Sequence, residues 1–228
     1  MLRPQAVKSS LATMPLQRAR PMRIGIDFDN TIISYDQVFL DAAVERGLLG
    51  EGFNGTTKQA IRDAIRLLPD GEMSWQRLQG FIYSRGIDKA VMFDGVDRFL
   101  HRARAEGHEV LIVSHKTDFG HLDPERRSLR EAALEWMERH GFFTPAGYAI
   151  PRENVYFETT RAEKLARIAC LQCTHFVDDL EEVLDDVAFP QKVRRVLFAS
   201  TAFGGAHTAY PICPTWRDIE KAVLGERP

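Results

Sequence analysis

The chain has 228 residues, of which 44% are hydrophobic and 27% charged, a composition typical of a globular protein with one or two domains and not of a disordered or fibrous one. A net charge of −2 provides no basic surface for nucleic acid, and no apolar run approaches the roughly 18 residues that a membrane span needs. Three cysteines are too few for a disulfide framework and indicate a reducing compartment, which predicts a cytoplasmic protein.

Residues 1–21 differ from the rest of the chain in charge and composition. They contain four basic residues and no acidic one, and they are dotted with serine and proline. We predict a disordered tail here, or a start codon assigned too early, with Met22 as the working start. An Arg-rich transit peptide is the open alternative.

Five short apolar runs predict β-strands. The first extends from Arg23 to Asp27, and the second extends from Glu109 to Val113 and ends at Ser114. Three weaker runs follow at residues 155–157, 175–177 and 196–198. Unbroken apolar runs of this length are typical of strands buried on both faces, as in a parallel sheet.

Helical patterns alternate with these strands. One helix is predicted to begin near Pro124, with Asp123 as its N-cap, and to end at His140 and Gly141, where a basic last turn is followed by glycine. Strand–helix alternation predicts βαβ units, and therefore an α/β fold in which a parallel, Rossmann-like sheet has helices on both faces.

The stretch from residue 34 to 90 breaks the alternation, because it contains helical patterns and no convincing strand. Apolar residues share helical faces there, first at Ile61 and Ile65 and then at Trp75 and Leu78. An insertion after the first strand would lie over the carboxyl ends of the strands, where such sheets bind ligands. We therefore predict a core of residues 22–33 and 91–228 and an inserted helical cap domain of residues 34–90.

Carboxylates follow two of the predicted strands. Asp27 and Asp29 close the first strand, and Asp178 and Asp179 close the strand at 175–177. In a parallel sheet these ends lie at one edge, and four carboxylates gathered there cannot all stay ionised without a cation. A hard divalent metal that takes oxygen ligands satisfies this requirement, and we predict Mg²⁺.

Two hydrogen-bond donors are predicted beside the carboxylates. Ser114 ends the second strand, and Lys164 begins a helix after the strand at 155–157. Both would donate to the oxygens of an anionic group bound opposite the metal. Arg161 lies three residues before Lys164 and is an alternative for the same anion.

This arrangement resembles the haloacid dehalogenase superfamily of phosphotransferases. Four motifs of that family appear in order, on the residues Asp27, Asp29 and Thr31, then Ser114, then Lys164, and then Asp178 with Asp179. The resemblance covers residues 22 to about 200, and the insertion falls where the first type of cap in this family is inserted.

The resemblance implies a Mg²⁺-dependent phosphatase that acts on a small phosphorylated metabolite. Asp27 would attack phosphorus and form an aspartyl-phosphate, and Asp29 would protonate the leaving oxygen and later activate water. Mg²⁺ would be held by the Asp27 carboxylate, the Asp29 backbone carbonyl and the pair Asp178 and Asp179.

Residues beside the motifs are candidates for binding the substrate. Asn30 and Thr31 follow the motif aspartates. His115 and Lys116 begin a loop that extends to His121 and is longer than such loops usually are. We expect this loop to border the site.

Two alternatives to a phosphatase remain open. A phosphomutase or a phosphonate hydrolase would use the same fold, and the second of these needs a lysine in the insertion that can form an imine. The insertion holds two lysines, Lys58 and Lys89, and neither lies in a recognisable motif. The other alternative is a binding module that has lost turnover, although the complete set of motifs argues against it.

Overall fold

The computed structural model describes residues 20–120, 125–199 and 209–226. Most of the predicted tail, the loop residue His121 and the predicted helix start at Asp123 and Pro124 lie outside these ranges. The strands in chain order are β1 (Arg23–Ile26), β2 (Ile33–Ser34), β3 (Val91–Met92), β4 (Glu109–His115), β5 (Val155–Glu158), β6 (His175–Asp178), β7 (Arg194–Phe198) and β8 (Ile212–Cys213).

Six of these strands form one parallel sheet in the order β5-β4-β1-β6-β7-β8. The parallel α/β fold predicted from the apolar runs is therefore confirmed, and β1 lies in the middle of the sheet. The edge strand β8 was not predicted, because it is only two residues long and lies between prolines. Strands β2 and β3 form a separate antiparallel pair at the two ends of the insertion, and they are also too short for an apolar pattern.

The described residues form eight α-helices and two short 3₁₀ helices, and none of these helices is long and apolar enough to cross a membrane. The α-helices are α1 (Asp36–Glu45), α2 (Lys58–Arg66), α3 (Gly71–Ser84), α4 (Val96–Ala105), α5 (Leu129–Arg139), α6 (Arg161–Cys170), α7 (Glu181–Leu184) and α8 (Trp216–Leu224). The 3₁₀ helices are Gly86–Lys89 and Arg152–Asn154.

Both faces of the main sheet are buried, as the unbroken apolar strands predict. Along β4, Val110 and Ile112 contribute to one hydrophobic cluster, whereas Leu111 and Val113 contribute to another. The first cluster includes side chains of α4, α5 and α8, and the second includes side chains of α6 and α7. This alternation is that of a strand between two layers of helices.

The helix after β4 begins later than the sequence pattern predicted. Helix α5 begins at Leu129, and the hydroxyl of Ser128 caps it by accepting a hydrogen bond from a first-turn backbone N–H. The end of the helix is confirmed, with His140 as the C-cap and Gly141 in the left-handed conformation that glycine adopts easily.

The insertion between β2 and β3 consists of α1, α2, α3 and the first 3₁₀ helix. Its helices pack around aromatic side chains, and the ring of Phe39 stacks on Trp75 with the ring centroids 5.0 Å apart. Helix α3 packs on α5 of the core, and the indole N–H of Trp136 donates to the carbonyl of Ala90 at 3.0 Å. The insertion is therefore fixed against the core at a second place besides the β2–β3 pair.

Candidate active site

A tight turn after β1 holds the first motif at the carboxyl edge of the sheet. The backbone N–H of Asp27 continues the sheet by donating to Val177, and the N–H of Ile32 returns to the carbonyl of Phe28 at 3.0 Å. Asn30 has a φ of 60°, a left-handed conformation that asparagine tolerates better than most residues. The turn thus places Asp27 and Asp29 at the edge where β4 and β6 also end.

Lys164 is a buried cation that joins two strand ends. Its ammonium donates to the carboxylates of Asp27 and Asp178, each at 2.7 Å, and only 1% of the residue is exposed. It lies in the first turn of α6, which begins with a capping box between Thr160 and Glu163. The capped start of α6 therefore places the lysine beside the ends of β1 and β6, as the sequence predicted.

The buried charges shift one another's pKa values. Burial raises the pKa of Asp27 to about 7, with Asp178 and Asp29 adding to the effect and Lys164 opposing it. Burial and the charges of Asp178 and Asp27 also raise the pKa of Asp179 well above its usual range. For Lys164, burial lowers the pKa but the two carboxylates outweigh it and raise it. The site thus holds more negative charge than one lysine balances.

Three carboxylates are arranged to hold a cation. Single oxygens of Asp27, Asp178 and Asp179 all lie within 4.8 Å of one another, and the hydroxyl of Thr31 donates to Asp179 at 3.3 Å. Hard oxygen donors of this kind suit Mg²⁺. The donor set and its excess negative charge both fit the predicted metal.

The hydroxyl of Ser114 is buried without a hydrogen-bond partner in the part of the chain that the structure describes. The residue is 1% exposed at the end of β4, and its Oγ makes no hydrogen bond with any described residue. A buried hydroxyl without a partner costs about 1–3 kcal/mol, so such groups usually have a function or bind a ligand. An oxygen of a bound phosphoryl group would satisfy it.

Two buried side chains hold the carboxylate of Asp29. The hydroxyl of Tyr35 donates to one of its oxygens and the ammonium of Lys116 to the other, both at 2.7 Å. Tyr35 is fully buried, and Lys116 is 3% exposed. Lys116, which was predicted to bind substrate, lines the pocket over this site and also pairs with Asp29. Held from two sides, this carboxylate has a fixed orientation.

A pocket of about 270 Å³ lies over these groups. Asn30 and His115, which were predicted to bind substrate, both line it, and His115 is exposed with its Nε2 2.8 Å from the carbonyl of Thr159. Thr31 is fully buried and holds Asp179 rather than lining the pocket. Arg161 is exposed, lines the pocket and pairs with Glu182 at 2.8 Å, whereas Lys164 is buried and pairs with Asp27.

The insertion adds residues to the pocket that the sequence did not reveal. Lys58 at the start of α2 and Tyr83 near the end of α3 line the same pocket as Asp27. Tyr35, which holds Asp29, immediately follows β2. The sequence indicated only weakly that Lys58 lies in the site, because it is one of two lysines in the insertion. It provided no such indication for the two tyrosines, because aromatic residues beside helical patterns are usually core residues.

Comparison with solved structures identifies the fold. A haloacid dehalogenase-like family hydrolase from Streptococcus pneumoniae is 11% identical, with 87% of this chain and 96% of that chain covered and a TM-score of 0.55. A predicted phosphoglycolate phosphatase from Haemophilus somnus is 13% identical, with 89% and 98% covered and a TM-score of 0.53. Protein Tyrosine Kinase A of Mycobacterium tuberculosis is 15% identical, with 90% and 99% covered and a TM-score of 0.54.

These similarities establish a shared fold at low sequence identity. No protein-family model matches the sequence, and no curated protein matches it either. Several of the solved structures are named as haloacid dehalogenase-like hydrolases. The chain has the fold of these hydrolases, which is the fold that the resemblance of its motifs implied.

Proposed function

We propose that the protein is a Mg²⁺-dependent phosphatase that hydrolyses a small phosphorylated metabolite through an aspartyl-phosphate on Asp27. One observation carries the proposal. A single pocket brings Asp27 together with other carboxylates and with the hydroxyl of Ser114, which has no hydrogen-bond partner in the described part of the chain. The carboxylates suit a divalent cation, and the Ser114 hydroxyl suits a phosphoryl oxygen. The name of the Haemophilus somnus structure, a predicted phosphatase, supports the same class of reaction.

The first step is an in-line displacement by Asp27. Lys164 holds one oxygen of this carboxylate, and the other oxygen forms a bond to phosphorus as the bond from phosphorus to the ester oxygen breaks. Asp29 in its protonated form gives its proton to the leaving oxygen. Ser114 and Lys164 donate hydrogen bonds to the phosphoryl oxygens.

The second step regenerates the carboxylate. Asp29, now ionised, removes a proton from a water molecule, and the resulting oxygen attacks phosphorus as the bond to Asp27 breaks. Tyr35 and Lys116 keep the Asp29 carboxylate oriented in both steps. Asp27, Asp178, Asp179 and the Asp29 carbonyl would hold Mg²⁺, which supplies positive charge that offsets repulsion between Asp27 and a phosphate dianion.

The insertion acts as the cap of this site. It contributes Lys58 and Tyr83 to the pocket, and its α3 touches the loop after β4 backbone to backbone. A Cβ atom on Gly120 would lie 2.7 Å from the Cα of Gly80, so this contact leaves no space for a side chain. A pocket covered in this way suits a small metabolite better than a folded protein.

The free cysteines suit a cytoplasmic location.

A screen over a metabolite library tests the proposal. Purified protein is incubated with phosphate monoesters, with and without Mg²⁺, and inorganic phosphate is measured. Release that depends on Mg²⁺ is the expected result. If no ester is hydrolysed, the protein is better described as a binding module that has lost turnover.

Removal of the metal should abolish activity. We expect EDTA to stop hydrolysis, excess Mg²⁺ to restore it and Ca²⁺ to fail, because Ca²⁺ takes more ligands at longer distances and would misplace the Asp27 carboxylate. Phosphate release in dialysed protein measures this. Full activity after thorough chelation would contradict the metal assignment.

Phosphonate hydrolysis is a second candidate, because Lys58 lies in the pocket. Such an enzyme forms an imine between a neutral lysine and an aldehyde. Burial lowers the pKa of Lys58, but Tyr83 and nearby carboxylates outweigh this and raise it, which disfavours the neutral amine. Borohydride with phosphonoacetaldehyde should therefore leave the protein mass unchanged. A reduced adduct on Lys58, absent in Lys58→Gln, would establish the phosphonate reaction instead.

A further inference from the structure

Lys58 differs from the other cations of the pocket in its partners. Lys164 and Lys116 each pair with carboxylates, and Arg161 pairs with Glu182. The ammonium of Lys58 has no Asp or Glu oxygen within 4.0 Å in the described parts of the chain, and it donates to the hydroxyl of Tyr83 at 2.6 Å. The carboxylates of Asp29 and Asp179 act on Lys58 from a greater distance, and an ammonium has more N–H donors than the single hydrogen bond to Tyr83 uses, so Lys58 can also bind an anion directly.

Tyr83 also has an unused donor. Its oxygen accepts from Lys58, and no acceptor for its own proton is found among the described residues. Its ring packs edge-on against Tyr35 at 4.9 Å and lies 5.1 Å from the ammonium of Lys116. These contacts fix the ring, so the hydroxyl remains beside Lys58. The cap side of the pocket therefore presents two adjacent donors, one charged and one neutral.

We propose that Lys58 and Tyr83 form a second anion subsite that binds a carboxylate on the leaving group, so that the substrate is a small phosphorylated hydroxy acid. The inference rests on the proposed phosphatase function. The transferred phosphoryl group already has donors on the core side, from Ser114 and Lys164. A carboxylate has two oxygens, and it can accept one hydrogen bond from Lys58 and one from Tyr83. The pocket, at about 270 Å³, suits a leaving group of few atoms.

Three esters of matched size test this subsite. Phosphoglycolate, 2-hydroxyethyl phosphate and phosphoethanolamine share the phosphate and a two-carbon unit, and they differ in carrying a carboxylate, a hydroxyl or an ammonium group. We expect kcat/KM to follow that order, with the acid favoured over the neutral ester by roughly 10- to 100-fold, as a charge-assisted hydrogen-bonded contact would give. Most of the difference should lie in KM, because the carboxylate is bound equally before and during reaction.

Variants assign the preference to the two residues. Lys58→Gln should reduce the preference for the acid to less than about threefold, and Tyr83→Phe, which keeps the ring, should reduce it by a smaller factor. Lys89→Gln is the matched control, since Lys89 is the other lysine of the insertion and is exposed outside the pocket. It should retain the wild-type preference. Tyr83→Phe also decides the matter if Lys58→Gln does not fold.

The possible results separate this inference from the proposed function. If the wild type hydrolyses the three esters equally well, the proposed carboxylate subsite is refuted, and the proposed phosphatase function still stands. A preference for the acid that persists in both pocket variants would place the carboxylate elsewhere and overturn the proposal. If the wild type hydrolyses none of these three esters and no other ester of the wider library, the phosphatase function itself is contradicted.

Discussion

Asp27→Asn should reduce hydrolysis of every substrate by at least about 10³-fold, as removal of a catalytic nucleophile does in other enzymes. An amide oxygen is a poor nucleophile, so no phosphoryl-enzyme should form. The fold should persist, because Lys164 retains Asp178 as a partner and the substitution relieves the crowding of negative charge that raises the pKa of Asp27. Phosphate release, intact mass after acid quench and circular dichroism measure these effects together.

The control for this variant is Asp94→Asn, which changes a carboxylate after β3 that does not line the pocket. It should retain activity and phosphoryl-enzyme formation. Covalent phosphate on the Asp27→Asn protein would show that another residue is the nucleophile.

Asp29→Asn should separate substrates by their leaving groups. An alkoxide needs a proton to leave, so alkyl phosphates should slow by the full general-acid contribution, roughly 10²–10⁴-fold. Nitrophenolate leaves without a proton, so the first step with nitrophenyl phosphate should be affected far less. Hydrolysis of the aspartyl-phosphate would still be slow with either substrate, because the variant lacks the carboxylate that activates water. The variant should therefore release about one nitrophenolate per site in a burst and then stall.

Rapid-quench kinetics with both substrate types measures this difference. Glu182→Gln provides the comparison, because it changes a carboxylate at the pocket rim that pairs with Arg161 and has no role in proton transfer. Its effect should not depend on the leaving group. If Asp29→Asn slows both substrates equally and shows no burst, Asp29 has a structural or metal-binding role and no acid–base role.

The sequence predicted the parts of this structure that depend on local pattern. Apolar runs located the five longer strands of the sheet, because strands buried on both faces leave no room for polar residues. Strand pairs of two residues, such as β2 with β3, carry no such pattern. The start of α5 was misplaced although Ser128 and Glu131 match the spacing of a capping box, because Asp123 with Pro124 offered a competing start.

The residues of the candidate site likewise include some that could be predicted from local sequence and some that could not. Parallel strands end at one edge, so the motif residues could be brought together from sequence alone, and the structure places Asp27, Ser114 and Asp178 there. The partners of Asp29 could not be predicted. Tyr35 reaches it from the residue after β2 and Lys116 from the residue after β4, and no spacing in the sequence indicates that these two side chains meet at Asp29.

The most direct test of the account is to locate phosphate on the protein during turnover. The Asp29→Asn variant is mixed with nitrophenyl phosphate and Mg²⁺, quenched in acid within the burst and digested for peptide mass mapping. We expect about one phosphate per chain, on the peptide that contains Asp27, and its loss on treatment with hydroxylamine, which cleaves acyl phosphates. Phosphate on any other residue, or a nitrophenolate burst that leaves no phosphorylated peptide, would contradict it.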